Sequence, residues 1–207
     1  MEADPVSVPA TAPELPEPSL PVDARGARGA ALARAQRGEL AAFRELIHTH
    51  QGAVYALALR MLKVPEDAEE LAQDVFVSAH RHLGKITSDA HLLFWLRRTV
   101  CHRAIDRLRR RPSQPPASLD SAEDVAQPEQ EHDPLLERHL HNLVLRLPPV
   151  ARAVVLLRYQ EDLDPPEIAD TLGMPLNTVK SHLKRSLALL RSACVGADGP
   201  IAAGSPP

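Results

Sequence analysis

The chain has 207 residues, with 24 Lys and Arg against 27 Asp and Glu and a formal charge of −3. That length allows one or two domains with a real hydrophobic core and excludes a large multi-domain enzyme. A membrane-spanning helix needs about 20 apolar residues, and the longest uninterrupted apolar run, Ala53–Leu59, is stopped by Arg60. Cys101 and Cys194 stand alone in sequence, which excludes a disulfide framework or a CxxC zinc site and points to a reducing, cytoplasmic compartment.

The N-terminal stretch, with Pro5, Pro9, Pro13, Pro16, Pro18 and Pro21, is acidic and offers no apolar segment for a secretory signal. Residues 1–33 are therefore expected to be a disordered arm, because so little apolar surface cannot offset the entropy of ordering. From Glu39, Leu40, Phe43, Leu46, Ile47, Val54, Leu57, Ala58 and Met61 recur at helical spacing until Pro65 stops the run. Pro65 also opens a second helix, whose Glu66, Asp67, Glu69 and Glu70 suit its N-terminal dipole. Leu71, Val75 and Ala79 line one face of it and Gly84 ends it. A third helix is expected over His91–Arg110, with Leu93, Leu96, Val100, Ala104 and Leu108 inward, closed by Pro112.

Residues 112–134 hold five prolines and six acidic groups with no basic one, the composition of a flexible acidic linker. Beyond it, Leu143–Leu147 leads into Pro148-Pro149 and a largely apolar helix, Val150–Tyr159. Asp164-Pro165-Pro166-Glu167 then combines a cap, first-turn prolines and a Glu at the third position, a capping-box start. A short helix Glu167–Leu172, a turn at Gly173 and a longer helix Pro175–Arg191 describe a helix-turn-helix. Val179, Leu183, Leu187 and Leu190 face inward there, while Asn177, Thr178, Lys180, Ser181, His182, Lys184 and Arg185 remain outside. A tail from Gly196 is Gly-, Ala- and Pro-rich and is expected to be disordered. No segment shows strand alternation, and no internal repeat is present. The predicted fold is all-α: two small helical domains, 34–111 and 135–195, joined by the linker.

The modest overall charge conceals a segregation. Residues 34–111 carry a net +5 and residues 135–195 a net +2, while residues 112–134 carry −6. Arg97, Arg98, Arg103, Arg107, Arg109 and Arg110 crowd one helix and Arg111 follows, a stripe suited to phosphate neutralisation. Phe94 and Trp95 beside it can stack on unpaired bases or pack in the core. The pairs His48-x-His50, His80-x-His82 and His139-x-His141 invite a metal reading, but residues two apart on a helix point to different faces. No metal, cofactor or catalytic residue is assigned, since no Ser/His/Asp order, Walker loop or Gly-rich dinucleotide motif occurs.

Taken together, the two blocks resemble a bacterial sigma-70 family RNA polymerase sigma factor of the extracytoplasmic-function group. The run Asp67-Ala68-Glu69-Glu70-Leu71-Ala72-Gln73-Asp74-Val75-Phe76-Val77-Ser78-Ala79-His80 is similar to the family's region 2 helix. That likeness implies that Asp67, Glu70, Leu71, Gln73, Asp74 and Phe76 meet core RNA polymerase at the beta-prime clamp helices. Phe94-Trp95-Leu96 with Asp106-Arg107-Leu108-Arg109-Arg110 is similar to the segment that opens and reads the minus-10 element. By resemblance the minus-10 set is Phe94, Trp95, Arg97, Arg98, His102, Arg103, Arg107 and Arg110, and the loop Gly84–His91 holds a flipped non-template base. Leu147-Pro148-Pro149 through Glu167-Ile168-Ala169, Leu172-Gly173 and Thr178-Val179-Lys180-Ser181 looks like region 4, which implies minus-35 contacts from Asn177, Thr178, Lys180, Ser181, His182, Lys184 and Arg185.

The chain departs from the family pattern at Thr99-Val100 and His102, and at His182, where Arg commonly follows the Val-Lys-Ser of the recognition helix. Arg clamps guanine with two hydrogen bonds, whereas neutral His offers one donor and one acceptor. The implied partners are core RNA polymerase, including its beta subunit, promoter DNA and an anti-sigma factor, often membrane-anchored; no direct membrane insertion and no fused domain after region 4 are expected. Two alternatives stay open at this level: a stand-alone helix-turn-helix regulator and a metal-dependent enzyme using the histidines.

Overall fold

The computed structural model describes residues 22–110 and 134–197. All regular elements among these residues are helical: α1 (Val22–Gln36), α2 (Leu40–Leu62), α3 (Pro65–His82), a 3₁₀ turn (Leu83–Lys85), α4 (Asp89–Arg110), α5 (Pro134–Leu145), α6 (Pro149–Tyr159), α7 (Pro165–Leu172) and α8 (Leu176–Ala197). The boundaries follow local chemistry. Helix α2 ends with Lys63 in the left-handed region (φ 71°), and the extended Val64 then precedes Pro65 at the start of α3. In α7 the capping box is complete: Asp164 accepts the Glu167 N–H at 2.9 Å, and Glu167 accepts the Asp164 N–H at 2.7 Å. Gly173 terminates α7 at φ 63°, a conformation that glycine adopts without steric cost.

Helices α1–α4 form one bundle. Ala42, Leu46, Val54, Leu57, Ala58 and Met61 of α2 bury against Leu71 and Val75 of α3 and against Leu96, Val100 and Ala104 of α4. Helices α5–α8 form the second block, with α7 and α8 crossing over Ile168, Leu172 and Val179. The two blocks are not separate cores. Val154, Leu156, Leu157, Ile168 and Val179 belong to the same contiguous apolar cluster as the first bundle, because α6 and α7 lie on α4.

The expectation of a disordered arm through residue 33 is corrected over residues 22–33, which are helical. Ala31, Leu32 and Ala35 of α1 are buried, with α1 packed mainly on α2. Small residues gave the sequence little hydrophobic amplitude there, but a flat alanine surface permits close helix contact. Most of the acidic linker, residues 111–133, and the end of the tail, residues 198–207, lie outside the described residues. Pro134 and residues 196–197, placed by sequence in linker and tail, fall within α5 and α8.

Two outcomes follow from this packing. Asp164→Ala removes the cap of α7 and should lower stability by about 0.5–2 kcal/mol, read as a shifted urea midpoint with unchanged slope. Cys101 is fully buried, and desolvation pushes its thiol up to about 12. Since the thiolate is the nucleophile, a Cys194→Ser protein at pH 8 should resist alkylation until denaturant exposes Cys101.

Candidate nucleic-acid interface

Helix α4 carries the basic stripe, and tertiary structure divides it between two neighbours. On one side Arg107 bridges to α3: its Nη2 donates to Asp74 at 2.9 Å and its Nη1 to Glu70 at 3.3 Å, with the Asp67 carbonyl also at 3.3 Å. Arg103 joins this network, donating to the Ser78 hydroxyl at 3.0 Å and lying 3.9 Å from Asp74. The acidic face expected to meet polymerase and two of the arginines expected to meet DNA are therefore one ion-pair network. Glu70 and Asp74 remain well exposed, so each pair contributes at most about 1 kcal/mol and exchanges readily for another partner.

On the other side α4 faces the second block. Arg97 Nε donates to Glu161 at 2.7 Å, and the two side chains are only 22% and 10% exposed. Arg98 reaches the C-terminal end of α7, donating to the Asp170 carbonyl at 2.6 Å and to the Thr171 carbonyl at 3.3 Å. A cation at that end satisfies orphan carbonyls and complements the helix dipole. Burial lowers the guanidinium pKa of Arg98, an effect the nearby Asp170 partly opposes. Arg152 reciprocates from α6: it donates to the Met61 carbonyl at the end of α2 and to the Leu145 and Leu147 carbonyls of its own block. Desolvation lowers its guanidinium pKa too. The seam thus exchanges arginines in both directions, with Arg98 and Arg152 each capping the end of a helix across it.

The remaining sites sort by exposure. Leu71, expected at the polymerase contact, is fully buried, and that assignment is corrected: its side chain belongs to the α2–α3–α4 core. Asp67 and Phe76 are half-buried, Phe76 packing on the core, while Gln73 is exposed. Phe94 is half-buried, and Trp95 packs on the core with its ring 5.4 Å from that of His82. His102 donates through Nδ1 to the Arg98 carbonyl at 2.8 Å, and Arg110 is exposed. On α8, Asn177, Thr178, Lys180, Ser181, Lys184 and Arg185 are exposed, while His182 is half-buried beside the buried Val179 and Ser186. The Ser181 hydroxyl donates to the Asn177 carbonyl at 2.8 Å, so its proton is committed within the helix. Among the described residues no three His, Cys, Asp or Glu groups gather as a metal site.

Sequence reasoning missed Glu161, Arg152 and Gln36. Each acts on a residue remote in sequence, a pairing that composition and periodicity do not encode.

The sigma-70 region 2 family model matches residues 46–113, and the sigma-70 region 4 model matches residues 137–190. The chain belongs to the sigma-70 family and is an RNA polymerase sigma factor of the extracytoplasmic-function group. It is 34% identical to the ECF RNA polymerase sigma factor SigM of Mycobacterium tuberculosis over 74% of this chain and 77% of that protein. It is 31% identical to the RNA polymerase sigma-E factor of Streptomyces coelicolor over 78% and 90% respectively. Its structure resembles CnrH, solved in complex with the cytosolic domain of CnrY, with a TM-score of 0.59 and 27% identity over 84% of this chain and 99% of that one. The sigma factor RpoE of Bartonella quintana, solved with the anti-sigma factor NepR, shares the fold at a TM-score of 0.58 and 19% identity, covering 76% of this chain and 98% of that one. A stand-alone helix-turn-helix regulator would lack the region 2 block, so that alternative is not favoured.

The seam is open to a direct measurement. In a cycle of Arg97→Met, Glu161→Met and the double variant, unfolding should report a coupling of about 0.5–3 kcal/mol between two residues of different blocks. Zero coupling would mean that this ion pair does not help to hold the blocks together.

Proposed function

We propose that this sigma factor joins core RNA polymerase through the exposed acidic face of α3, engages the minus-10 element with α4 and the turn before it, and reads the minus-35 element with α8. It acts in the cytoplasm as a specificity subunit and performs no catalysis of its own. The observation that carries this reading is α8: its polar and cationic face is exposed while its apolar stripe is held by α7, the presentation that a recognition helix needs to enter a major groove. Arg97 commits its Nε to Glu161 and Arg98 its Nη1 to the α7 carbonyls, so turning both guanidiniums fully to phosphate weakens the seam. A protein partner of the anti-sigma type completes the reading, supported by the likeness to CnrH, which was solved with the cytosolic domain of CnrY.

The test is run-off transcription with purified core polymerase on a promoter library randomised at both elements, at two salt concentrations. Lys184→Ala should weaken all minus-35 sequences about equally and reduce the salt slope by ~1, whereas loss of a base contact relaxes one position at about 1–3 kcal/mol. His182→Arg should shift the selected motif toward guanine. An unchanged motif would show that α8 does not dock with His182 toward the bases. Reversing Glu70 and Asp74 together should weaken core association while circular dichroism stays that of the parent. Normal core binding by that folded variant would overturn the α3 assignment.

A further inference from the structure

Helix α1 ends in a device that the matched region 2 segment, which begins at residue 46, does not contain. The side-chain amide of Gln36 donates to two backbone carbonyls of the turn between α3 and α4, Leu83 at 2.9 Å and Ile86 at 2.7 Å. These carbonyls bracket the 3₁₀ turn Leu83–Lys85, whose closing bond runs from the Ile86 N–H to the Leu83 carbonyl. A single amide group thus ties both ends of the turn. The sequence separations are 47 and 50 residues, so this is a tertiary clamp rather than local turn chemistry.

The clamp is itself fixed in place. Upstream, Ala31, Leu32 and Ala35 are buried on the inner face of α1 and hold the helix end that bears the exposed Gln36. Downstream, Gly38 at φ 89° reverses the chain, with the Gly38 N–H on the Ala35 carbonyl at 3.0 Å and the Glu39 N–H on the Arg34 carbonyl at 3.2 Å. Arg34 then grips Glu39 at 2.7 Å and Glu45 at 3.4 Å, locking α1 to the start of α2; the hydrogen bond to Glu39 pushes the Arg34 pKa up, and the reciprocal bond holds Glu39 below the usual carboxylate range. On its far side the turn feeds α4, where the Ser88 hydroxyl accepts the His91 N–H at 3.1 Å and the Thr87 N–H donates to His91 Nδ1 at 3.2 Å. Ile86 is buried, while Gly84, Lys85 and Thr87 stay exposed. The turn is therefore anchored at its base and open at its rim, the form of a preorganised single-strand cradle.

We infer that Gln36 is a positioning residue for promoter melting: it sets the conformation of the Leu83–Thr87 turn in which the unpaired minus-10 strand is received. This rests on the reading that the turn and α4 meet that strand. Gln36 makes no contact with DNA in this role. It acts through two carbonyls, of which that of Leu83 also accepts the Ile86 N–H; without Gln36 the ends of the turn keep that one local bond, and the turn has more conformational freedom to lose on binding.

The experiment uses full-length holoenzyme and a fluorescent fork-junction promoter carrying the minus-10 and minus-35 motifs selected from the randomised library. Gln36→Ala and Gln36→Glu, the second lacking a donor and repelling the carbonyls, should lower affinity for the single-stranded minus-10 arm about five- to tenfold, the loss of one to two net hydrogen bonds. Gln36→Lys, which keeps a donor, should recover part of that loss. Core affinity and binding to a duplex minus-35 site should not change, a separation that general destabilisation would not produce. A Lys85→Ala/Thr87→Ala protein reports on the underlying reading. If that protein loses strand affinity and the Gln36 variants do not, the clamp is not a positioning device and the inference fails alone. If neither loses it, the minus-10 reading fails and the inference with it.

Discussion

Helix α4 has more cations than its own bundle can neutralise, and the rest of the molecule is arranged around where they go. Arg103 and Arg107 turn to the carboxylates of α3; Arg97 and Arg98 turn to Glu161 and the carbonyl end of α7. An unpaired guanidinium at the centre of a helical seam would cost several kcal/mol. The second block packs where it does because it brings acceptors to that position, and the apolar faces of α6 and α7 complete the contact. Arg152 works in the reverse direction, from the second block to the end of α2.

On the proposed reading, the consequence is a competition between intramolecular and intermolecular partners. Phosphates offer the same chemistry to Arg97 and Arg98 that Glu161 and the α7 carbonyls offer in the closed form. Among the described residues, Arg152 Nε and Thr171 Oγ1 are buried without a hydrogen-bond partner. The α3–α4 network has a parallel logic at the surface: on the proposed reading, a basic polymerase surface that takes Glu70 and Asp74 releases Arg103 and Arg107.

The presentation of α8 depends on a different physical feature, the fixed geometry of α7–Gly173–α8. The capping box starts α7, glycine turns it, and the buried Val179 and Ser186 fix the rotation of α8. With rotation fixed, Asn177, Lys180 and Lys184 share an exposed face, and His182 sits at its edge. Arg98, whose guanidinium lies 3.4 Å from where a Gly173 Cβ would stand, joins this unit to the first bundle.

The sequence by itself determined the helices from α2 to α4 and from α6 to α8, because each has its own periodicity and a Pro or Gly beside at least one of its ends. It determined the exposed recognition face of α8 as well, since that face is simply the complement of the apolar stripe. Helix α1 escaped notice because alanines give little amplitude, and their value lies in the close approach that a partner helix permits. Leu71 was legible as an inward residue and could not also serve a partner surface; resemblance alone had placed it there. The destinations of Arg97, Arg98, Arg103 and Arg107 were decided only by tertiary structure. A charge run announces that cations are concentrated, but which anion or carbonyl meets each one depends on chain segments 25 to 73 residues away, and pairing energy at such separations exists only once the fold has brought the partners together.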